Sequence, residues 1–279
     1  MSHLAQEIAR RNVASGNIVL WWLGQAGFAF KTDAGKVIYV DPYLSDSVER
    51  LHGFKRLSLP AIAPEDVQAD LVLVTHEHAD HLDPDTIPII ARNNPPCRFA
   101  GPAGCSEGFS QAGVVRQRQV VLGPNRTYPP GSMRAAFPRG LSLHTAPADH
   151  GDLSPTALAF VLDFSTPRSG VKVLVTGDTA FRPALLKPLT DFRPDVVLPC
   201  INGAFGNMGH VDAARLVSQA QPRYAIPCHF WTFAEQGAGD PAGFIHACRC
   251  LCPEVQAILL RPGEGFTLAP SDVASASGP

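Results

Sequence analysis

The chain has 279 residues, 45% hydrophobic and 17% charged, a globular balance that excludes disordered and fibrous classes. Lys and Arg number 23 against 25 Asp and Glu, a net charge of −2 with no basic stripe, which excludes nucleic acid as a partner. No apolar run approaches the ~20 residues that span a bilayer, and residues 1–17 form a polar segment without a signal-peptide stretch, so integral membrane association is excluded and the cytoplasm is the expected compartment.

In chain order, short β-type runs alternate with turn signals. Residues 18–23, 28–32 and 36–40 read as a meander, turned by Gly24-Gln25-Ala26-Gly27 and Asp33-Ala34-Gly35. Residues 71–75 are an apolar run of buried-strand type, and 102–112 a helix. Further strands are expected at 141–145, 158–164, 171–176, 196–198, 224–227, 257–260 and 266–268. Residues 211–219 carry an apolar stripe at helical spacing. Residues 241–251 form a helix with Asp240 as cap and Pro241 at the first position. The reading is one mixed domain over 18–269, after an N-terminal segment of 1–17 and before a flexible tail of 270–279.

Seven cysteines, at 97, 105, 200, 228, 248, 250 and 252, are odd in number, which argues against a disulfide framework. The spacing of Cys248, Cys250 and Cys252 sends three helical side chains in different directions, so they read as structural rather than metal-binding.

Directly after the strand at 71–75 comes His76-Glu77-His78-Ala79-Asp80-His81. Three imidazoles and carboxylates this dense, at a sheet edge, are good ligands for zinc and for harder ions such as manganese and iron. A strand followed by HxHxDH resembles the metallo-β-lactamase superfamily, which implies a four-layer αββα sandwich. The resemblance carries the remaining metal roles onto His150 in Ala148-Asp149-His150-Gly151, Asp178 in Thr176-Gly177-Asp178-Thr179, and His229 in Pro227-Cys228-His229-Phe230. It places one ion on His76, His78 and His150 and a second on Asp80, His81 and His229, with Asp178 bridging. His150 is preferred to His144, which lies inside a predicted strand.

The strings Trp21-Trp22-Leu23-Gly24-Gln25-Ala26-Gly27, Asp41-Pro42-Tyr43-Leu44-Ser45-Asp46, Asn202-Gly203-Ala204-Phe205-Gly206-Asn207-Met208 and Ile226-Pro227-Cys228-His229-Phe230-Trp231 resemble the L-ascorbate-6-phosphate lactonase-like branch. That likeness implies a binuclear hydrolase in which metal-activated hydroxide attacks a lactone or related ester, including a sugar-phosphate lactone. The lactonase branch points to manganese, the superfamily at large to zinc. A phosphodiesterase similar to the N-acyl-phosphatidylethanolamine-hydrolysing branch is the enzymatic rival, and a non-catalytic metal-binding protein the rival of another class.

Asp80 is expected to orient the nucleophile and carry its proton to the leaving group. Asp41 reads either as a turn-forming Asp-Pro or as a partner fixing a ligand's orientation. Glu77 should point away, into solvent or an ion pair. Candidate substrate contacts are Asn202, Phe205, Asn207, Met208 and His210 in the Gly-rich loop, and Trp231 and Phe233 after the last ligand. Lys55-Arg56 reads as exposed surface charge, with capture of an anionic group as the alternative. The expected partner is a small molecule, of which an anion is one form, and a symmetric homo-oligomer is the default assembly.

Overall fold

A computed structural model describes residues 1–131, 137–138, 140–164, 170–234 and 239–270; the expected tail, beyond Pro270 itself, lies outside the described residues. The strands are β1 (Ile18–Gly24), β2 (Gly27–Thr32), β3 (Val37–Val40), β4 (Leu71–Leu73), β5 (Arg98–Pro102), β6 (Gln119–Leu122) and β7 (Arg126–Tyr128). They continue with β8 (Ser142–Pro147), β9 (Leu158–Asp163), β10 (Lys172–Val175), β11 (Val196–Leu198), β12 (Tyr224–Ala225), β13 (Gln256–Ala257) and β14 (Gly265–Leu268). The α-helices are α1 (His3–Arg10), α2 (Ser47–His52), α3 (Ile87–Asn93), α4 (Cys105–Gln111), α5 (Pro183–Thr190), α6 (His210–Ala220) and α7 (Pro241–Leu251).

Two seven-stranded sheets run in the orders β14-β1-β2-β3-β4-β5-β6 and β13-β12-β11-β10-β9-β8-β7. Each is half antiparallel and half parallel: β3 to β6 pair in parallel in the first, β10 to β13 in the second. The period of two along each strand then builds the layers. On β1, Ile18, Leu20 and Trp22 join a core that contains residues of both sheets, while Val19, Trp21 and Leu23 join a second core on the outer face. The same division separates Leu71 and Leu73 from Val72 and Val74. Leu4 and Ile8 of α1, Ile87 and Ile90 of α3, and Phe109 of α4 cover that outer face. Leu186, Leu216 and Phe244 of α5, α6 and α7 pack against the second sheet. The result is an αββα sandwich, the expected architecture.

The N-terminal segment holds a helix that composition did not suggest. Ser2 caps it, its hydroxyl accepting from the Ala5 amide at 3.4 Å, and Lys31 donates to the terminal carbonyls of Ile8 and Ala9 at 2.6 and 2.9 Å. β5, β6 and β7 were also unexpected; β5 carries Gly101 and Pro102, residues that weaken a strand signal. Functionally, the register leaves β1, β3, β4, β8, β10 and β12 ending at one edge, where ligand-bearing loops collect in such sheets.

Candidate metal centre

Two buried carboxylates shape the loop after β4. Asp41 accepts from the Thr75 amide at 2.8 Å, the Thr75 hydroxyl at 2.7 Å and His81 Nδ1 at 2.8 Å. Asp83 accepts from the Leu44 and Ser45 amides, both at 3.0 Å, which ties the loop's far end to the segment after β3. Asp41 itself sits at φ 45° before Pro42, so it is both the turn residue and the orienting acceptor that the sequence left as alternatives. Opposite, Gly177 has φ 58°, and a methyl group there would lie 2.9 Å from Cβ of Thr75; only glycine lets the end of β10 approach this closely.

These loops bring seven side chains together. His76, His78 and His150 form one group, His76, His81 and Asp178 a second, and Asp80, His81 and His229 a third, each with ligand atoms within 4.8 Å of one another. His76 Nε2 is 3.0 Å from His78 Nδ1, which is 3.3 Å from His150 Nε2. Asp178 stands between the groups: Oδ1 is 3.4 Å from His81 Nε2 and 3.3 Å from His229 Nε2, and Oδ2 is 3.9 Å from His150 Nε2. His229 Nε2 lies 3.4 Å from Asp80 Oδ2.

The hydrogen bonds on the outer ring atoms show what the inner ones can do. His78 Nε2 is 3.1 Å from the Leu153 carbonyl, which can only accept, so that nitrogen carries the proton and Nδ1 turns a lone pair inward. The Thr75 hydroxyl donates to Asp41, leaving its oxygen to accept from His76 Nδ1 at 3.1 Å. His76 Nε2 therefore also presents a lone pair, and two acceptors face each other at 3.0 Å. His81 Nε2 and Asp178 Oδ1 are fully buried without a hydrogen-bond partner. Converging buried lone pairs are costly unless a cation satisfies them, and neutral imidazole with carboxylate suits zinc, manganese or iron. The donor set fits a metal centre.

Charge divides the cluster. Burial, with the neighbouring His81, pushes His76 well below the ordinary histidine range, and burial also lowers His150. Burial would lower His81 and His229 too, but the Asp178 and Asp80 carboxylates override it; His81 is raised well above its usual range and His229 to about 9. Burial would raise Asp178 and Asp80, yet His81 and His229 hold both below the ordinary carboxylate range. Without metal, His76 and His150 are held neutral, while His81 and His229 form imidazolium–carboxylate pairs with Asp178 and Asp80.

A cavity of about 220 Å³ opens over the cluster, walled by Val48, His52, Phe54, Ala79, Leu153 and Phe205. Of the proposed substrate contacts, Phe205 lines it. Asn207 instead donates to Asp178 Oδ2 at 2.6 Å, and Asn202, five residues earlier, is buried with no side-chain hydrogen-bond partner among the described residues. His210 begins α6, half-buried, and Met208 is core. Phe233 packs on Tyr43 and Phe54, and Trp231 lines a different groove. His144 stays in β8, 2.9 Å from the Thr127 hydroxyl and against the Phe192 ring. Glu77, partly exposed, accepts from the Ser154 hydroxyl at 2.8 Å, and among the described residues it forms no ion pair.

Arg56 corrects the surface-charge reading of its dipeptide. Lys55 is exposed, but Arg56 is buried, donating to the carbonyls of Tyr43, Ser45 and Ser58 at 3.1, 3.1 and 3.2 Å. Sequence reasoning also missed Gln25. Its Nε2 is 2.7 Å from Asp80 Oδ2 and 3.2 Å from His229 Nε2, and its carbonyl accepts from the His229 amide at 2.8 Å. A glutamine between two glycines signals only a turn. His52, at the end of α2, also forms part of the cavity wall. All seven cysteines are free; Cys248 and Cys252 are buried and Cys250 is exposed on α7, in line with a structural reading.

Comparison with known proteins agrees with this geometry. Residues 19–229 match the family described as Beta-lactamase superfamily domain. A UPF0173 metal-dependent hydrolase of Cupriavidus necator is 30% identical, over 82% of this chain and 79% of its own length. Another, from Cupriavidus taiwanensis, is 29% identical over 85% and 82%. Among solved structures, Igni18, a metallo hydrolase of Ignicoccus hospitalis, superposes with a TM-score of 0.69 at 22% identity, covering 90% of this chain and 98% of that one. Among the described residues no helix is long and apolar enough to cross a membrane. The chain belongs to the beta-lactamase superfamily and, within it, to the UPF0173 metal-dependent hydrolases.

Proposed function

We propose that this metal-dependent hydrolase is binuclear and cleaves a lactone or related carboxylic ester. The convergence of ring nitrogens of His76, His78, His150, His81 and His229 around the Asp178 carboxylate carries the proposal. His76, His78 and His150 would hold one ion and Asp80, His81 and His229 the other, with the two oxygens of Asp178 turned to different groups. When bound, two divalent ions lower the pKa of water toward neutrality and polarise the electrophilic oxygen. Manganese, zinc and iron all match the donors.

The protein's own groups do the rest. Asp41 and Thr75 orient His81 and His76, the Leu153 carbonyl orients His78, and Asn207 steadies Asp178. Asp80, mostly buried but lining the cavity, is placed to accept a proton from the attacking water and return it to the departing alkoxide. Gln25 donates to one carboxylate oxygen of Asp80 and so fixes its plane.

The apolar walls and the absence of any Lys or Arg among the described lining residues favour a small uncharged acyl portion over a sugar phosphate. A panel of lactones, aryl esters, phosphodiesters and β-lactams, assayed with manganese and with zinc, tests this. Turnover of lactones or esters, with Asp80→Asn lowering kcat far more than it raises KM, is expected. Preferential turnover of phosphodiesters contradicts the ester reading and restores the phosphodiesterase one.

A further inference from the structure

We propose that a second groove, separate from the metal cavity, binds an elongated apolar carboxylate through Arg56. The groove measures about 360 Å³, within the range of small-molecule sites. Phe230, Trp231 and Thr232 line it, the residues directly after His229, together with Trp22, Leu259 and Pro262.

Its walls are apolar and built in layers. Trp22 stacks on Phe230 with centroids 4.9 Å apart, and Trp231 meets Phe230 edge-on at 5.7 Å. Trp231 is 59% exposed and Leu259 44%, so the rim displays two large side chains that a soluble surface usually hides. Trp231 holds φ 52° and His229 φ 60°, strained backbone for residues with a Cβ, and such strain collects at ligand sites.

Arg56 supplies the polar end. Nε and Nη1 are committed to three backbone carbonyls, and the guanidinium carbon lies 4.6 Å over the Tyr43 ring. Nη2 has no backbone-carbonyl partner among the described residues, and no carboxylate among them pairs with this arginine; the Tyr43 side chain interacts with the guanidinium, and Asp46 and Asp83 act on it only at longer range. Nη2 borders the groove beside Gly24, 3.9 Å from where a methyl group on that residue would stand, with Pro262 on the other side. Arg261, on the rim, is already paired with Glu264 at 3.3 Å. A guanidinium nitrogen without a carbonyl or carboxylate partner among the described residues, bordering an aromatic groove, matches a singly charged head on an apolar body. A dianionic phosphate would keep uncompensated charge against apolar walls.

The test is titration of the metal-loaded full-length protein with decanoate below its micellar concentration, followed by tryptophan fluorescence and calorimetry. Trp22 and Trp231 line the groove and report on it. Saturable binding of one decanoate per chain is expected, weakened at least about tenfold for decanol and for the rim variant Leu259→Asp, which places a negative charge in the groove. Leu259 is 44% exposed at the rim, so the variant should fold as the parent does. Absence of saturable binding overturns the proposal. So does equal binding of decanol, or decanoate binding that survives Leu259→Asp and disappears on metal chelation.

Discussion

Replacing Asp41 with Asn separates a carboxylate that serves the metal centre from one that only holds the loop. Asp41 is fully buried and accepts from the Thr75 amide, the Thr75 hydroxyl and His81 Nδ1. An asparagine oxygen can replace one carboxylate oxygen but not both. If it stays on the Thr75 amide, the new NH2 faces the hydroxyl and the imidazole. The hydroxyl can rotate; His81 must then move its proton to Nε2, the atom 3.4 Å from Asp178. If the amide flips, the Thr75 N–H is left buried without an acceptor. Either outcome costs about 1–3 kcal/mol of stability. Loss of a group orienting a ligand costs ~10–100-fold in metal affinity, or about 1.4–2.7 kcal/mol. Asp83→Asn is the control, since Asp83 is equally buried and accepts from Leu44, Ser45 and Thr86 but contacts no candidate ligand. Urea denaturation should show both variants destabilised, while chelator competition should show weakened metal binding in Asp41→Asn alone. Unchanged metal affinity in Asp41→Asn, or equal weakening in Asp83→Asn, refutes the reasoning.

Gln25→Ala removes the donor to Asp80 and His229 from an otherwise intact turn, so metal affinity should fall ~10-fold with little change in Tm, and an unaltered metal titration contradicts the role. Gly177→Ala meets both the left-handed backbone and Thr75, and should cost about 2–4 kcal/mol by urea denaturation; a loss below about 0.5 kcal/mol would show that the approach of β10 to Thr75 is not tight. For the metal-free protein, His229 is raised from 6.5 to about 9, so its contribution to stability is complete below about pH 6.5 and lost as pH rises through about 9. Asp178 and Asp80 are depressed, so theirs is present above about pH 3.8 and lost as pH falls further. Metal must displace the His229 proton, so apparent affinity should rise with pH up to about 9, by at most ~10-fold per unit for that proton, and calorimetry in two buffers should detect its release. A pH-independent affinity between 6.5 and 9 contradicts that assignment.

Much of the fold was legible because period-two patterning and turn residues act locally. The runs at 18–23 and 196–198 match β1 and β11 almost residue for residue, and 241–251 is α7. Where local signals conflict, reading failed. α5 contains Pro188 in its interior, and α1 is a short helix whose apolar face gains meaning only against the outer side of the first sheet. The metal cluster was legible for a different reason: four of its seven side chains fall within six residues, where composition alone signals chemistry. The residues that orient it were harder. Thr75 and Gln25 have unremarkable types in unremarkable places, and their roles arise from loops that the sheets bring to one edge. Arg56 was misread because its partners are backbone carbonyls from two separate stretches, which no side-chain pattern announces. The relatives found are UPF0173 hydrolases, so the choice of substrate rests on the cavity's apolar walls more than on the lactonase-like strings.

Metal stoichiometry tests the binuclear claim most directly. Protein purified without chelator, or stripped and titrated with zinc or manganese, should bind close to two ions per chain by elemental analysis. Asp80→Ala should retain only the ion held by His76, His78 and His150. Saturation at a single ion per chain, or an unchanged count of two in Asp80→Ala, would contradict the assignment.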